Sequence, residues 1–290
     1  MWDAILQHLT QATQTPCTLD QVRSVGGGCI NQGYRLTTTQ GATYFLKTNS
    51  PTQTEMFAAE AAALQAFQAT GTIAVPTPIC WGHTDQVSYL VLEWLDIGIG
   101  GTQSWHTLGQ HLAQLHRQAQ STQGFGWHRA NTIGSTPQLN PWTDSWVTFW
   151  GQHRLGYQLQ LGRRKGGRFP LGEKLLDRLP FLLANHHPEP SLVHGDLWSG
   201  NVGILASGKP VIFDPAAYYG DREVDLAMTE LFGRFPAAFY EGYRSTWPLS
   251  PGYEKRRDLY NLYHILNHFN LFGGSYESQA NALIQNLSGH

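Results

Sequence analysis

Apolar residues recur along the chain in two rhythms, and each predicts a kind of element. From Thr54 to Thr70 an Ala-rich run of strong helix formers carries Phe57, Leu64 and Phe67 at helical spacing. Thr107 to Gln120, with Leu108, Leu112 and Leu115, and the aromatic-rich Ser145 to Leu161 predict further helices. Tyr253 to Phe269 predicts another, with His264 and His268 four apart on one face. Shorter apolar runs predict strands at Tyr44-Phe-Leu-Lys47, Tyr89 to Leu95 and Leu192-Val193. Val202 to Leu205 and Val211 to Phe213 flank a Ser-Gly-Lys-Pro turn and read as a hairpin. Asp96 to Thr102 is a polar, Gly-rich break, and Asn131 to Trp142, with Pro137 and Pro141, reads as an irregular connection bordering a cleft. The expected organisation is α+β in two lobes. Residues 1–95 would form a small lobe, a helix followed by a mainly antiparallel sheet with one crossing helix. Residues 96–290 would form a mainly helical lobe.

Candidate chemistry concentrates where the short strands meet. After Leu192-Val193, the pair His194-Gly195 predicts a tight turn that exposes the Asp196 carboxylate to a substrate hydroxyl. Asn201 follows five residues later, and the hairpin returns Asp214 to its neighbourhood. An Asn oxygen and an Asp carboxylate facing each other are hard ligands suited to Mg²⁺, with nucleotide phosphates and water completing the shell. Asp196, outside that shell, is placed to orient and deprotonate an attacking hydroxyl. A lone Asp or Asn in a turn is usually a local cap, but the ordered set is hard to explain that way. His194 reads as a hydrogen-bonded scaffold residue, and Trp198 as either core or a platform for a sugar ring.

The N-terminal third supplies candidates for holding a nucleotide. Gly26, Gly27, Gly28, Cys29, Ile30 and Asn31 lie between two predicted strands, where small residues let backbone N–H groups approach phosphates. The closing Gly-Lys-Ser/Thr of a P-loop is missing, which disfavours a Walker-type NTPase. Lys47 ends its strand where it would contact phosphates, and Glu60 on the following helix is its expected partner. Glu55 competes for that role but is explained by the helix dipole at the first turn. Glu93, Trp94 and Leu95, at the junction of strand and linker, would present backbone groups to an adenine edge.

Composition narrows the alternatives. A net charge of −2 with only 14% charged residues provides no broad field for nucleic acid or anionic membrane. The most basic stretch, Arg163 to Arg168, reads as a solvated loop, with contact to a sugar or acidic carrier as its alternative. No apolar run has the length of a membrane span and no leader pattern follows Met1, so cytoplasm is the expected location. His264 and His268 lack the intervening Glu of a metalloprotease helix and read as core or cleft-lining residues. Asp221 and Asp225 are placed to brace the catalytic loop through backbone N–H bonds, and Asp225 reads as scaffold.

The order of Gly-rich loop, Lys, helix Glu, hinge, catalytic Asp and Asn, and metal Asp is that of protein-kinase-like folds. His194-Gly-Asp196 and Asp214-Pro-Ala216 depart from the protein-kinase motifs toward small-molecule kinases. Within that group the chain resembles the fructosamine kinase family. The resemblance rests on Gly27-Gly-Cys-Ile-Asn31, Phe45-Leu-Lys-Thr-Asn49, Met56 to Leu64, Gly124 to His128 and Trp142 to Phe149. It continues through His194-Gly-Asp-Leu-Trp-Ser-Gly-Asn201, Asp214 to Glu223, and Leu262 to His268. Ala63 stands where the family would have Gly.

The resemblance implies ATP and Mg²⁺, with transfer of the γ-phosphate to the 3-hydroxyl of a ketosamine and release of the amine as a deglycation repair. It implies Asp196 as base, Asn201 and Asp214 as metal ligands, Lys47 with Glu60 at the phosphates, and residues 93–95 as the hinge. Trp127, Trp142 and Trp146 lie in matching stretches and are expected to line the acceptor pocket, with Trp198, His194, His264 and His268 nearby. Two other readings share the bare site pattern: a kinase of aminoglycosides or amino alcohols, and a catalytically dead nucleotide-binding module. Few acidic residues between Asn131 and Trp150 weigh against a strongly cationic acceptor, and intact Lys47, Asp196, Asn201 and Asp214 weigh against a dead module.

Cys17, Cys29 and Cys80 are too few and too sparse for a disulfide scaffold or a zinc site. Cys29, in the Gly-rich loop, is the candidate redox switch, acting through a disulfide between two copies of the chain, so a monomer or redox-dependent homodimer is expected. On non-reducing gels after peroxide, wild type is expected to form a disulfide dimer that Cys29→Ser does not; an oxidant-insensitive monomer would remove the idea.

Overall fold

Residues 1–26 and 30–289 are described by a computed structural model; the expectations placed on Gly27, Gly28 and Cys29 lie outside the described residues. Helix α1 (Trp2–Thr13) leads into strands β1 (Leu19–Val25), β2 (Gln32–Thr38) and β3 (Thr43–Asn49). Helix α2 (Thr54–Thr70) follows, then β4 (Pro78–His83) and β5 (Ser88–Glu93). The five strands form one antiparallel sheet in the order β1-β2-β3-β5-β4.

Alternation along these strands decides where the chemistry points. Successive strand residues face opposite sides. Leu46, Val91 and Cys80 turn toward α1 and close a small core with Ile5 and Leu9. Leu90, Leu92 and Phe45 take the other face, against Phe57, Leu64 and Phe67 of α2. Lys47, two residues on from Phe45, shares that second face and meets α2. Each large apolar side chain fully buried here contributes about 1.5–3 kcal/mol.

Beyond β5 the chain becomes mainly helical: α3 (Thr102–Gln118), the hairpin β6 (Asn131–Ile133) and β7 (Thr136–Gln138), then α4 (Trp146–Trp150). A π-helical turn at Gly151–Gly156 joins α4 to α5 (Tyr157–Arg164), and α6 (Gly172–Leu182) precedes the short strands β8 (Ser191–Val193), β9 (Val202–Ile204), β10 (Pro210–Ile212) and β11 (Tyr218–Gly220). The chain closes with α7 (Glu223–Leu231), α8 (Ala237–Thr246), α9 (Tyr253–Phe272) and α10 (Tyr276–Leu287). The strands pair as β9 with β10 and β8 with β11. Leu108, Leu112 and Leu115 of α3 join the core that α2 begins, so one apolar interior runs from the sheet into the helices.

Three expectations change. The stretch from Asn131 is not irregular throughout: its amides organise a hairpin, with Gln138 Nε2 and Asn140 Nδ2 both donating to Asn131 Oδ1 (2.8 and 3.1 Å). The helix expected from Ser145 runs to Arg164 and contains the π turn, which carries buried Arg154. Its guanidinium lies over the rings of Phe149 and Tyr218 and donates to Leu139 O and Asn140 Oδ1. The helix expected from Thr107 begins five residues earlier, so α3 follows the Gly-rich break directly at Thr102.

Helices α3 and α8 cross at two glycines. A Cβ on Gly109 would lie 2.0 Å from the Phe239 carbonyl oxygen, and one on Gly242 would lie 2.0 Å from that of His106. Only backbone can occupy this crossing, and no side chain can move aside to relieve the clash. Gly109→Ala is therefore expected to lower stability by about 3 kcal/mol in urea unfolding. Gly101→Ala, with nothing within 4 Å of the added methyl group, should stay within about 0.5 kcal/mol of wild type.

Candidate active site

Buried strand β8 delivers the chain to His194 and Gly195, where the backbone turns with Gly195 at φ +80°. A Cβ there would come within 2.3 Å of the Ala216 carbonyl oxygen, so the turn requires glycine. The N–H groups of His194 and Gly195 donate to the two oxygens of Asp225 (2.7 and 2.8 Å). His116 Nε2 bonds the same carboxylate at 3.0 Å, and its Nδ1 pairs with Tyr243 OH. Burial alone would push the Asp225 carboxyl up, but the hydrogen bond and charge of His116, aided by His194, hold it below the usual carboxylate range.

His194 is a strut. Its Nε2–H donates to Phe213 O (3.0 Å), so Nδ1 is free to accept from Asp196 N–H (3.2 Å). The ring stacks on Phe67, and burial lowers its pKa and keeps it neutral. It thereby ties the turn before Asp196 to the strand end before Asp214, and it does not line the cavity.

A cavity of about 730 Å³ opens between the sheet and the helices. Asp196, Asn201 and Asp214 meet Lys47 and Glu60 in its wall. Lys47 Nζ donates to Glu60 Oε1 (2.6 Å) and to the Asp214 carboxylate. Glu55 instead lies largely exposed, 3.9 Å from Arg129. Asp214 adopts φ +60°, which aims its carboxylate at the lysine. Asn201 Nδ2 donates to the Asp196 carbonyl (2.8 Å), which commits its amide N–H and leaves Oδ1 as the acceptor. An amide oxygen and a carboxylate are the donor set that a hard divalent cation takes.

Asp196 is one-quarter exposed, and burial raises its carboxyl to about 7 against the opposing hydrogen bond from Asn201, with the Asp225 charge adding to the rise. A buried nitrogen, His264 Nδ1, lies 4.0 Å from Asp196 Oδ1 with no hydrogen-bond partner. Burial pushes His264 down to about 3, so the ring is neutral.

The other predicted positions divide. Gly26, Ile30, Asn31, Glu93, Trp94, Leu95, Trp198 and His268 line the cavity. Asn49 Nδ2 bonds Ile30 O and Asn31 Oδ1 and fixes that edge. The Glu93 carboxylate accepts from Thr77, and Trp94 lies under the Arg35 guanidinium, so neither side chain is free to turn inward. Trp127, Trp142 and Trp146, expected at the acceptor pocket, do not line it. Trp127 and Trp142 pack on Tyr219, and Trp146 is buried against Phe149, Trp150 and Tyr260, donating to Tyr260 OH. Behind the site Asp221 bonds His186, Tyr260 and Glu223 N, so it braces its own helix and not the catalytic loop. His186, Asp221 and Glu223 come close enough to suggest a metal, but Glu223 is held by Arg256 through two bonds and the group is satisfied by ion pairing.

Cavity residues Asn267, Leu271, Phe272, Tyr276, Met228 and Phe232 were not anticipated. Asn267 and Leu271 continue the face of His264 and His268 at positions +3 and +7, a spacing visible in the sequence. Phe272 and Tyr276 straddle the Gly273-Gly274 turn between α9 and α10, and no local pattern announces them.

The family model described as fructosamine kinase matches residues 1–289. The chain belongs to the fructosamine kinase family. Among relatives of this kinase family, a probable ketoamine kinase of Synechocystis is 57% identical over 284 residues, covering 98% of this chain and 96% of that one. A chloroplastic protein-ribulosamine 3-kinase of Arabidopsis thaliana is 44% identical over 280 residues, covering 95% and 84%. A crystal structure of a putative fructosamine-3-kinase from Haemophilus somnus superposes with a TM-score of 0.92 at 32% identity, covering 99% of this chain and 97% of that one. Aminoglycoside and choline phosphotransferase structures at 17% and 15% identity share the two-lobed kinase-like fold alone. The fold is thus the expected α+β arrangement.

The raised Asp196 carboxyl gives this kinase site a pH signature. If ionised Asp196 serves as the base, kcat/KM is expected to fall about tenfold per pH unit below about 7 and to level off above it. A flat profile between about pH 5.5 and pH 8 would show that ionised Asp196 is not the required species.

Proposed function

We propose that this chain is an ATP-dependent ketosamine 3-kinase acting on fructosamine- or ribulosamine-type adducts in the cytoplasm. The observation that carries this reading is the convergence of Lys47, Glu60, Asp196, Asn201 and Asp214 on one cavity, in a chain of the fructosamine kinase family. No helix among the described residues is long and apolar enough to cross a membrane.

The roles follow from position. Backbone at Glu93 to Leu95 takes the adenine edge, and Gly26, Ile30 and Asn31 lie on the side of the phosphates. Lys47, held by Glu60, binds the phosphate oxygens once it leaves Asp214. Asn201 Oδ1 and the Asp214 carboxylate would hold Mg²⁺, which supplies charge neutralisation at the phosphates when bound. Asp196 accepts the proton of the substrate 3-hydroxyl as that oxygen attacks the γ-phosphorus and the bond to ADP breaks. Trp198, 37% exposed at the cavity mouth, provides a flat apolar face for the sugar.

In the product, enolisation toward C1 gives an enaminol that expels the 3-phosphate. Water then hydrolyses the resulting imine, which frees the amine and leaves a dicarbonyl. The kinase step thereby makes a stable adduct reversible.

Mg²⁺-dependent ADP release is expected with a ribulose or fructose adduct of lysine and not with free sugars, an aminoglycoside or choline. Turnover only with another acceptor would overturn the substrate. Asp196→Ala is expected to lower kcat by about 10³-fold or more while Mg²⁺-ATP affinity, read by calorimetry, stays within a few-fold. Unchanged turnover would refute Asp196 as the base.

A further inference from the structure

Four rings gather at the cavity end farthest along α9 from Asp196. The His268 ring centroid lies 4.5 Å from that of Phe232, 5.1 Å from Tyr276 and 5.7 Å from Phe272. All four residues line the cavity, and Phe272 is 57% exposed despite its size. Apolar side chains do not stay open to water at a cavity mouth without a cost, and nothing in the phosphoryl-transfer roles above uses them.

His268 has a fixed hydrogen-bond polarity. Its Nδ1 lies 2.8 Å from the His264 carbonyl oxygen, which can only accept, so Nδ1 carries the proton. In the neutral ring Nε2 is then an acceptor, and among the described residues no protein group bonds it. Burial lowers the His268 pKa and keeps the ring neutral. A lone pair surrounded by the faces and edges of aromatic rings suits a cation that also has an N–H to donate. No carboxylate from α7, α9 or α10 lines this part of the cavity among the described residues, so a cation there would be held by rings and lone pair.

Spacing connects this recess to the reacting oxygen. His264, whose unpartnered Nδ1 sits beside Asp196, and His268 are four residues apart on α9, a rise of about 6 Å. In a ketosamine the 3-hydroxyl oxygen and the amine nitrogen are separated by three carbons, about 5 Å in an extended chain. With the 3-hydroxyl at Asp196, this span is long enough to carry the nitrogen toward His268.

We propose that the recess formed by Phe232, His268, Phe272 and Tyr276 is the subsite for the protonated secondary amine of the substrate, with His268 Nε2 accepting its N–H. This rests on the ketosamine reading, and it makes the amine, not the sugar alone, a specificity element. Free ketoses lack the group, so they forgo the contact.

The test compares two acceptors that differ by one atom: 1-deoxy-1-propylamino-fructose and its ether, with oxygen in place of nitrogen. Wild type is expected to prefer the amine, and the ratio of kcat/KM values should fall about tenfold in Phe272→Ala and in His268→Gln. Phe272 is mostly outside the core, so its variant keeps the fold; melting curves check both proteins. Equal use of amine and ether by wild type, or variants that slow both alike, would overturn the subsite and leave the kinase reading standing. Failure of wild type to phosphorylate the amine, with turnover of an unrelated acceptor, would overturn the ketosamine reading and the subsite with it.

Discussion

A carboxylate closed off from water organises the whole catalytic apparatus. Asp225, on the first turn of α7, receives the N–H groups of His194 and Gly195 and the ring of His116. Removing any partner would leave buried charge or buried N–H groups unpaired, an error that costs more than the bonds themselves contribute. The turn before Asp196 is therefore held at its base by a group that never meets substrate. His194 carries that constraint onward to Phe213, so the segments leading to Asp196 and Asp214 are set relative to each other by one imidazole bonded to backbone on both sides. Tyr243 extends the same chain into α8, whose backbone lies against α3 at Gly109 and Gly242. The glycine crossing and the catalytic turn are two ends of one rigid path.

What was legible in the sequence was mostly local. Asp196, Asn201 and Asp214 come together because a strand, a turn and a hairpin are all encoded within two dozen residues. Lys47 and Glu60 were legible for a related reason: strand alternation and helix periodicity fix their directions, and only the packing of α2 on the sheet had to be supplied. Asp225 was legible as scaffold because an acid opening a buried helix has few other uses.

Other features depend on distant partners. The three tryptophans at 127, 142 and 146 stand in motifs on either side of Asn131 to Gly134, which line the cavity, yet Tyr219 and Tyr260 claim their rings. Composition cannot say which side of a loop an indole packs on. The hairpin at Asn131 hides behind two prolines because its order comes from amide side chains, and the π turn inside the aromatic helix carries Arg154, whose acceptors at Leu139 and Asn140 lie outside that helix. Phe272 and Tyr276 converge on His268 only after the chain reverses at Gly273-Gly274.

Lys47 stands between two acids, Glu60 and Asp214. One positive charge against two negative ones leaves this trio at a formal −1, and Asp196 on the same cavity wall adds to the deficit whenever it is ionised. Such a pocket repels a bare polyanion. In the proposed reaction a divalent cation bound with the nucleotide would offset this deficit, and Lys47 would exchange Asp214 for the phosphates. On that reading the resting ion pair would act as a coincidence detector for the two.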